Sequence, residues 1–253
     1  MIYNLQKAGL WKRISAWLFD GILLTILAVG CAWGLSSLLG YQQYSTAVDQ
    51  AYAKYEESYA VSFSINEAEY NAMPEDYQQR YTAAYNALIA DSDAMYQYNM
   101  MLNLTLVITT LGILLAMVVL EFLVPLALGD GQTLGKRIFG LCLVRTDGVK
   151  INTLQLFART ILGKFAIETM IPVYMVTLFF LGSLGLEGTL LVLALGLAQI
   201  LILIFSRTNA LIHDLLAGTA VADRSSQMIF PSTEALIECK KKIAAEQAAR
   251  EQY

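Results

Sequence analysis

A small set of charged and polar side chains lies in or beside long apolar runs: Arg13, Asp20, Glu121, Lys136, Arg137, Glu168, Gln199, His213 and Asp214. An ionisable group inside hydrocarbon costs about 2.5–3.5 kcal/mol on insertion scales, so each needs a partner or a task. The carboxylates Asp20, Glu121, Glu168 and Asp214 could exchange a proton for a cation. The cations Arg13, Lys136 and Arg137 could instead hold an anion or a lipid headgroup at an inner interface. Arg13 and Asp20 are seven residues apart, two helical turns, which puts them on one face about 10 Å apart. Neither neutralises the other across that gap, and each calls for a partner on another segment.

Other chemistries fit less well. His213 is the only histidine. It could titrate near neutral pH or be a hydrogen-bonded structural group beside Asp214. One histidine without cysteine neighbours makes no zinc site. Cys31, Cys142 and Cys239 give no disulfide framework. Gly131 to Lys136 is too short for a phosphate loop. No Ser/His/Asp or Cys/His arrangement with a credible base is present, so neither an enzyme nor a cofactor is expected.

The elements that hold these residues are hydrophobic. The chain has 253 residues, 57% apolar and 15% charged, where a soluble domain carries about a quarter charged. Four stretches approach the roughly 20 helical residues needed to cross about 30 Å of hydrocarbon. They run from about 14 to 39, 100 to 128, 165 to 184 and 188 to 205. Only Gly185, Leu186 and Glu187 separate the last two, which predicts a tight antiparallel hairpin. The fold class expected is all-α transmembrane, a four-helix membrane bundle. The first span is longer than a signal-peptide core and carries Asp20, which argues against cleavage.

Basic residues set the orientation. The segments at 7–13, 136–164 and 207–250 hold 15 of the 17 Lys and Arg residues, leaving Lys54 and Arg80 between the first two spans. By the positive-inside rule both termini are cytoplasmic. Counted from the inner ends, Asp20, Glu121 and Gln199 lie about 9–10 Å deep and Glu168 about 5 Å. The polar layer is then confined to the cytoplasmic half.

Residues 41–99 form an acidic, Tyr-rich, extracytoplasmic helical insertion in two pieces, the second starting near Pro74-Glu75. Tyr77, Tyr81 and Tyr85 recur at helical spacing and either pack the two pieces together or face a partner. In the cytoplasmic loop, β-prone runs at 141–146 and 149–151 flank Asp147-Gly148, which predicts a small β-hairpin. Residues 154–162 then suggest an amphipathic helix along the inner interface. From Ser232 onward a tail helix carries Leu236, Ile237, Ile243 and Ala244 on one side.

Three strings resemble the RDD family of bacterial membrane proteins. They are Arg13…Asp20, Gly131-Gln132-Thr133-Leu134-Gly135-Lys136-Arg137, and His213-Asp214-Leu215-Leu216-Ala217-Gly218-Thr219. The arginine and two aspartates of the family's name match Arg13, Asp20 and Asp214. The large insertion is not part of the family's minimal pattern, and spans three and four exceed the usual helix count. The resemblance implies a bacterial plasma-membrane location, and cation/proton antiport has been proposed within the family.

The organisation expected is 1–40 as N-terminus and first span, 41–99 as the insertion, 100–224 as the remaining membrane domain and 225–253 as a cytoplasmic tail. Three functions fit: ion- or proton-coupled transport through the Arg/Asp/Glu layer, a non-catalytic accessory docking partners at 41–99, or a binder of lipid or an anionic metabolite. The polar layer also admits a purely structural role, with Arg13 clasping Asp20 or Asp214. The bilayer is the expected partner, nucleic acid is not, and a homo-oligomer stays open.

Overall fold

The computed structural model describes residues 5–180, 185–206 and 210–251. The chain divides into two compact units, 1–28 with 113–253, and 29–112.

Among the described residues, three helices are long and apolar enough to cross a membrane: Leu10–Leu38 (α1), Ser92–Leu128 and Thr153–Phe179. Few of their side chains are buried. Trp17, for example, is 64% exposed. Apolar surface on this scale is stable only against a non-aqueous solvent. A shorter apolar stretch, Gly188–Ile202, lies within a fourth helix, Leu186–Phe205. Of the three residues expected to form the turn before that helix, Gly185 is its N-cap and Leu186 and Glu187 are its first residues, while residues 181–184 and Arg207 lie outside the described residues.

In the unit of residues 29–112, Gly40 at φ 68° separates α1 from α2 (Tyr41–Tyr59), a conformation glycine adopts without strain. Then follow α3 (Glu67–Ala72) and α4 (Glu75–Ala90). Asn66 and Glu69 form a reciprocal capping box on α3, and Pro74 precedes α4, as the sequence predicts. Residues 41–99 therefore hold three helices and the start of a fourth, rather than two pieces. Asp91 starts the next helix, α5 (Ser92–Leu128), by accepting from the amides of Asp93 and Ala94 at 3.0 and 3.1 Å. Phe63 stacks edge-on with Tyr52 and Tyr81, and Tyr81 meets Tyr70 at 5.0 Å. The Tyr77 hydroxyl accepts from the Ser62 amide at 2.8 Å. Tyr77 and Tyr81 thus serve internal packing, while Tyr85 is half exposed.

In the other unit, α6 (Leu134–Ile138) leads to β1 (Leu141–Arg145). Next come the long helix α7 (Thr153–Phe179), α8 (Leu186–Phe205), α9 (Ile212–Ala217), β2 (Thr219–Asp223) and the tail helix α10 (Thr233–Glu251). The expected β-hairpin is corrected here. Strand β1 pairs antiparallel with β2, from Leu141↔Asp223 to Arg145↔Thr219. Asp147-Gly148 does turn the chain, but it leaves only a single bridge, Val144↔Lys150. Residues 6–8 flank β2: the Ala8 amide donates to Val221 and the Asp223 amide to Gln6. Ala8, Ala16, Leu141, Leu143, Leu156 and Val221 form the core beneath.

Two further expectations change. Residues 154–162 are not a separate interfacial helix but the first turns of α7, so the third apolar helix begins near 153 rather than 165. On α10, Leu236 is buried against Val149 and Phe230, whereas Ile237 is exposed.

Candidate functional site

The long helices α5 and α7 are irregular where they carry charge. Val118–Leu123 of α5 and Ala158–Met170 of α7 are π-helical. Wide i→i+5 turns within α-helices are frequent at functional sites. They hold Glu121 in α5 and Arg159, Lys164 and Glu168 in α7. Five-residue spacing brings Arg159 and Lys164 to one cavity. Pro125 offers no N–H to the carbonyl four residues back, that of Glu121. The buried Thr160 hydroxyl donates to that carbonyl instead, at 3.0 Å.

The three signature residues are not one ion pair. Asp20 turns away from Arg13 and onto the start of α6. Its carboxylate accepts from the Thr133 hydroxyl at 2.5 Å and from the Gly135 amide at 2.7 Å. Thr133 in turn caps α6 at the Lys136 amide. Gly135 permits this approach, since a Cβ there would collide with the Ala16 carbonyl and lie 2.9 Å from the Asp20 carboxyl carbon. The Gly-Gln-Thr-Leu-Gly-Lys string is therefore the landing site of α1.

Asp214 is fully buried and meets both arginines. Arg159 forms a close ion pair with it, and Arg13 lies at 3.9 Å. The Thr219 hydroxyl donates to Asp214 at 3.0 Å and accepts from Arg159 at 3.1 Å. One carboxylate thus ties α1, α7, α9 and β2 together. Beside it, Glu168 accepts from the His213 backbone amide at 3.0 Å and contacts its Nδ1 at 2.6 Å. Gly163 allows α9 so close, because a Cβ there would sit 2.5 Å from that of His213. Burial, reinforced by Arg159, Lys164, Lys136 and Arg13, pushes the His213 pKa well below 6.5 and keeps the ring neutral.

Glu121 pairs with Lys164 at 2.7 Å. Lys136 is 7% exposed, and its ammonium meets the Thr133 hydroxyl at 3.2 Å. Among the described residues no carboxylate lies within 4.0 Å of it. Burial lowers its pKa to about 8. A cavity of about 220 Å³ opens here, lined by Arg13, Lys136, Arg159 and Lys164, by Asp20, Glu121 and His213, and by apolar residues that include Leu10, Ile14 and Trp17. Of the residues singled out from sequence, Arg137 is exposed and outside this lining. Gln199 borders a separate cavity of about 160 Å³ with Glu168 and Pro172. Arg159, Lys164 and Thr160, all central, are not marked as site residues by the sequence, and Thr133 and Thr219 enter there only as members of the family-like strings. The available signal is the position of Arg159 and Lys164 directly ahead of the apolar run that starts near 165.

A family model matches residues 7–218, and the chain belongs to the RDD family. Together with the apolar helices this fits a membrane protein. No curated protein and no solved structure matches the chain.

Proposed function

We propose that this RDD-family chain is a multi-pass plasma-membrane protein whose polar cluster is a cytoplasm-facing anion-binding site and catalyses no reaction. In this reading α8 is a fourth span, and both termini are cytoplasmic because the basic residues gather on that side. One observation carries the proposal. All four carboxylates of the cluster already have protein partners, while Lys136 faces the cavity with only the Thr133 hydroxyl on its ammonium and, among the described residues, no carboxylate within 4.0 Å. The lining sets four cations against two carboxylates, Asp20 and Glu121, and this positive excess repels a metal cation and attracts an anion. Residues 41–99 have less support as a docking surface, since Tyr77 and Tyr81 are engaged internally.

The test is thermal unfolding of the purified full chain at fixed ionic strength. Phosphate or sulfate should raise the midpoint in a saturable way, and sodium, potassium and lithium exchanged against one another should not move it. A saturable rise with one alkali cation and none with the anions would sink the proposal. Ion- or proton-coupled transport is the second reading, favoured by the Glu121–Lys164 contact between two apolar helices, α5 and α7. Protonating Glu121 would release Lys164. That reading requires pH-dependent cation flux in proteoliposomes that is lost in Glu121→Gln and Asp20→Asn.

A further inference from the structure

The cavity has two unlike walls. Ala16, Leu141 and Val221 are buried at its back, with the cations beside them. Leu10, Ile14 and Trp17 of α1 also line it, yet these three are exposed. Exposed lining residues border an opening, so the cavity opens along the outward apolar face of α1. The neighbouring turns repeat the pattern. Ile138 shares α6 with Lys136, Leu154 and Phe157 precede Arg159 on α7, and Leu215 and Leu216 follow Asp214 on α9. All five apolar side chains are exposed while their charged neighbours point inward. Segments of this kind lie in the headgroup region, with their apolar side against acyl chains.

We infer that the ligand is a phosphate ester carried by a lipid, its phosphate held by Lys136, Lys164 and Arg13 and its acyl chains lying outside along Leu10, Ile14 and Trp17. This rests on the anion-binding reading above and narrows it. Size supports it. Pockets for drug-sized ligands run about 300–1,000 Å³, so 220 Å³ accepts a headgroup and not a whole lipid. Charge supports it as well, because Lys and Arg at the interface attract anionic headgroups and pair with phosphate through charge-assisted hydrogen bonds. A free phosphate would use the same cations but would gain nothing from the apolar rim.

The test titrates the purified full chain with dihexanoyl phosphatidylglycerol, dihexanoyl phosphatidylcholine and inorganic phosphate. Thermal unfolding and native mass spectrometry are the readouts. Phosphatidylglycerol should bind one to one, about tenfold or more tighter than either of the others, as expected when a charge-assisted contact and apolar burial are both read. Excess phosphate should displace it. Lys136→Met should weaken both anions, whereas Trp17→Ala, on an exposed rim, should weaken only the lipid. Should Lys136→Met fail to fold, the Trp17→Ala result and the phosphate competition decide the matter. Equal binding of phosphate and phosphatidylglycerol, with no effect of Trp17→Ala, overturns the lipid inference and leaves the anion site standing. Equal binding of the two lipids overturns the inference because charge is not read. Binding of none of the three overturns both proposals.

Discussion

Asp20 is joined to Gly135, not to Arg13: its carboxylate accepts the Gly135 amide at 2.7 Å and the neighbouring Thr133 hydroxyl at 2.5 Å. A carboxylate with two good donors is a cap for another segment, and that contact holds α1 to the α6 turn. Asp20→Ala should therefore destabilise the protein by about 1.5–3 kcal/mol, as for a lost hydrogen bond to a charged group. Asp20→Asn, which keeps one acceptor, should cost less. Gly135→Ala should cost about 1–3 kcal/mol by forcing α1 and α6 apart. Denaturant or thermal unfolding in detergent measures all three. Wild-type stability in Asp20→Ala would show that the cap does not hold α1.

The buried pair of Arg159 and Asp214 should behave as a unit. Removing either partner alone strands a charge, so Arg159→Met and Asp214→Asn should each cost about 3–5 kcal/mol. Arg13→Met should cost less, given its 3.9 Å separation and partial exposure. The double variant Arg159→Met/Asp214→Asn should be more stable than the two single losses summed. Additive losses would show that the two do not interact.

Pro125 and Thr160 are linked through one carbonyl. Thr160→Val removes the donor to the Glu121 carbonyl and should cost about 1–3 kcal/mol, the penalty of a buried acceptor left unmet. Pro125→Ala supplies an amide one turn further on and should recover part of that loss in the Thr160→Val background. No recovery would mean that the missing proline amide is not what leaves the Glu121 carbonyl in need of Thr160.

Acid should destabilise the protein through His213. Its folded pKa lies well below 6.5, so as pH falls the unfolded chain takes up a proton that the folded chain does not. Stability is thus fully present above about pH 6.5 and is lost below it, by up to about 1.4 kcal/mol per pH unit. His213→Gln should flatten that slope between pH 6.5 and 5. An unchanged slope would assign the acid sensitivity to other groups.

The apolar helices were legible because length and hydropathy alone define them, and so was the motif arginine-aspartate pattern. Partner choice was not. Spacing correctly showed that Arg13 and Asp20 do not pair, but the partner of Asp20 is a backbone amide, which every residue except proline possesses. The β1 partner was missed for a related reason. Asp147-Gly148 is a strong local turn signal, whereas Thr219–Asp223 lies more than seventy residues downstream of it and is too short to stand out. From sequence, Arg159 belongs to an amphipathic stretch at 154–162 that suits the inner interface. Its buried carboxylate partner, which makes a cation tolerable there, comes from a distant segment. The π-helical turns leave no sequence mark beyond Pro125 and Pro172.

The central claim is that the cations around the cavity hold an anion. Crystals of the full chain soaked in selenate, with data collected at the selenium edge, test it most directly. The account predicts an anomalous peak within hydrogen-bond distance of Lys136 Nζ and bordered by Arg13 and Lys164, absent in crystals of Lys136→Met. Selenate that binds elsewhere, with no peak in this cavity, would contradict it.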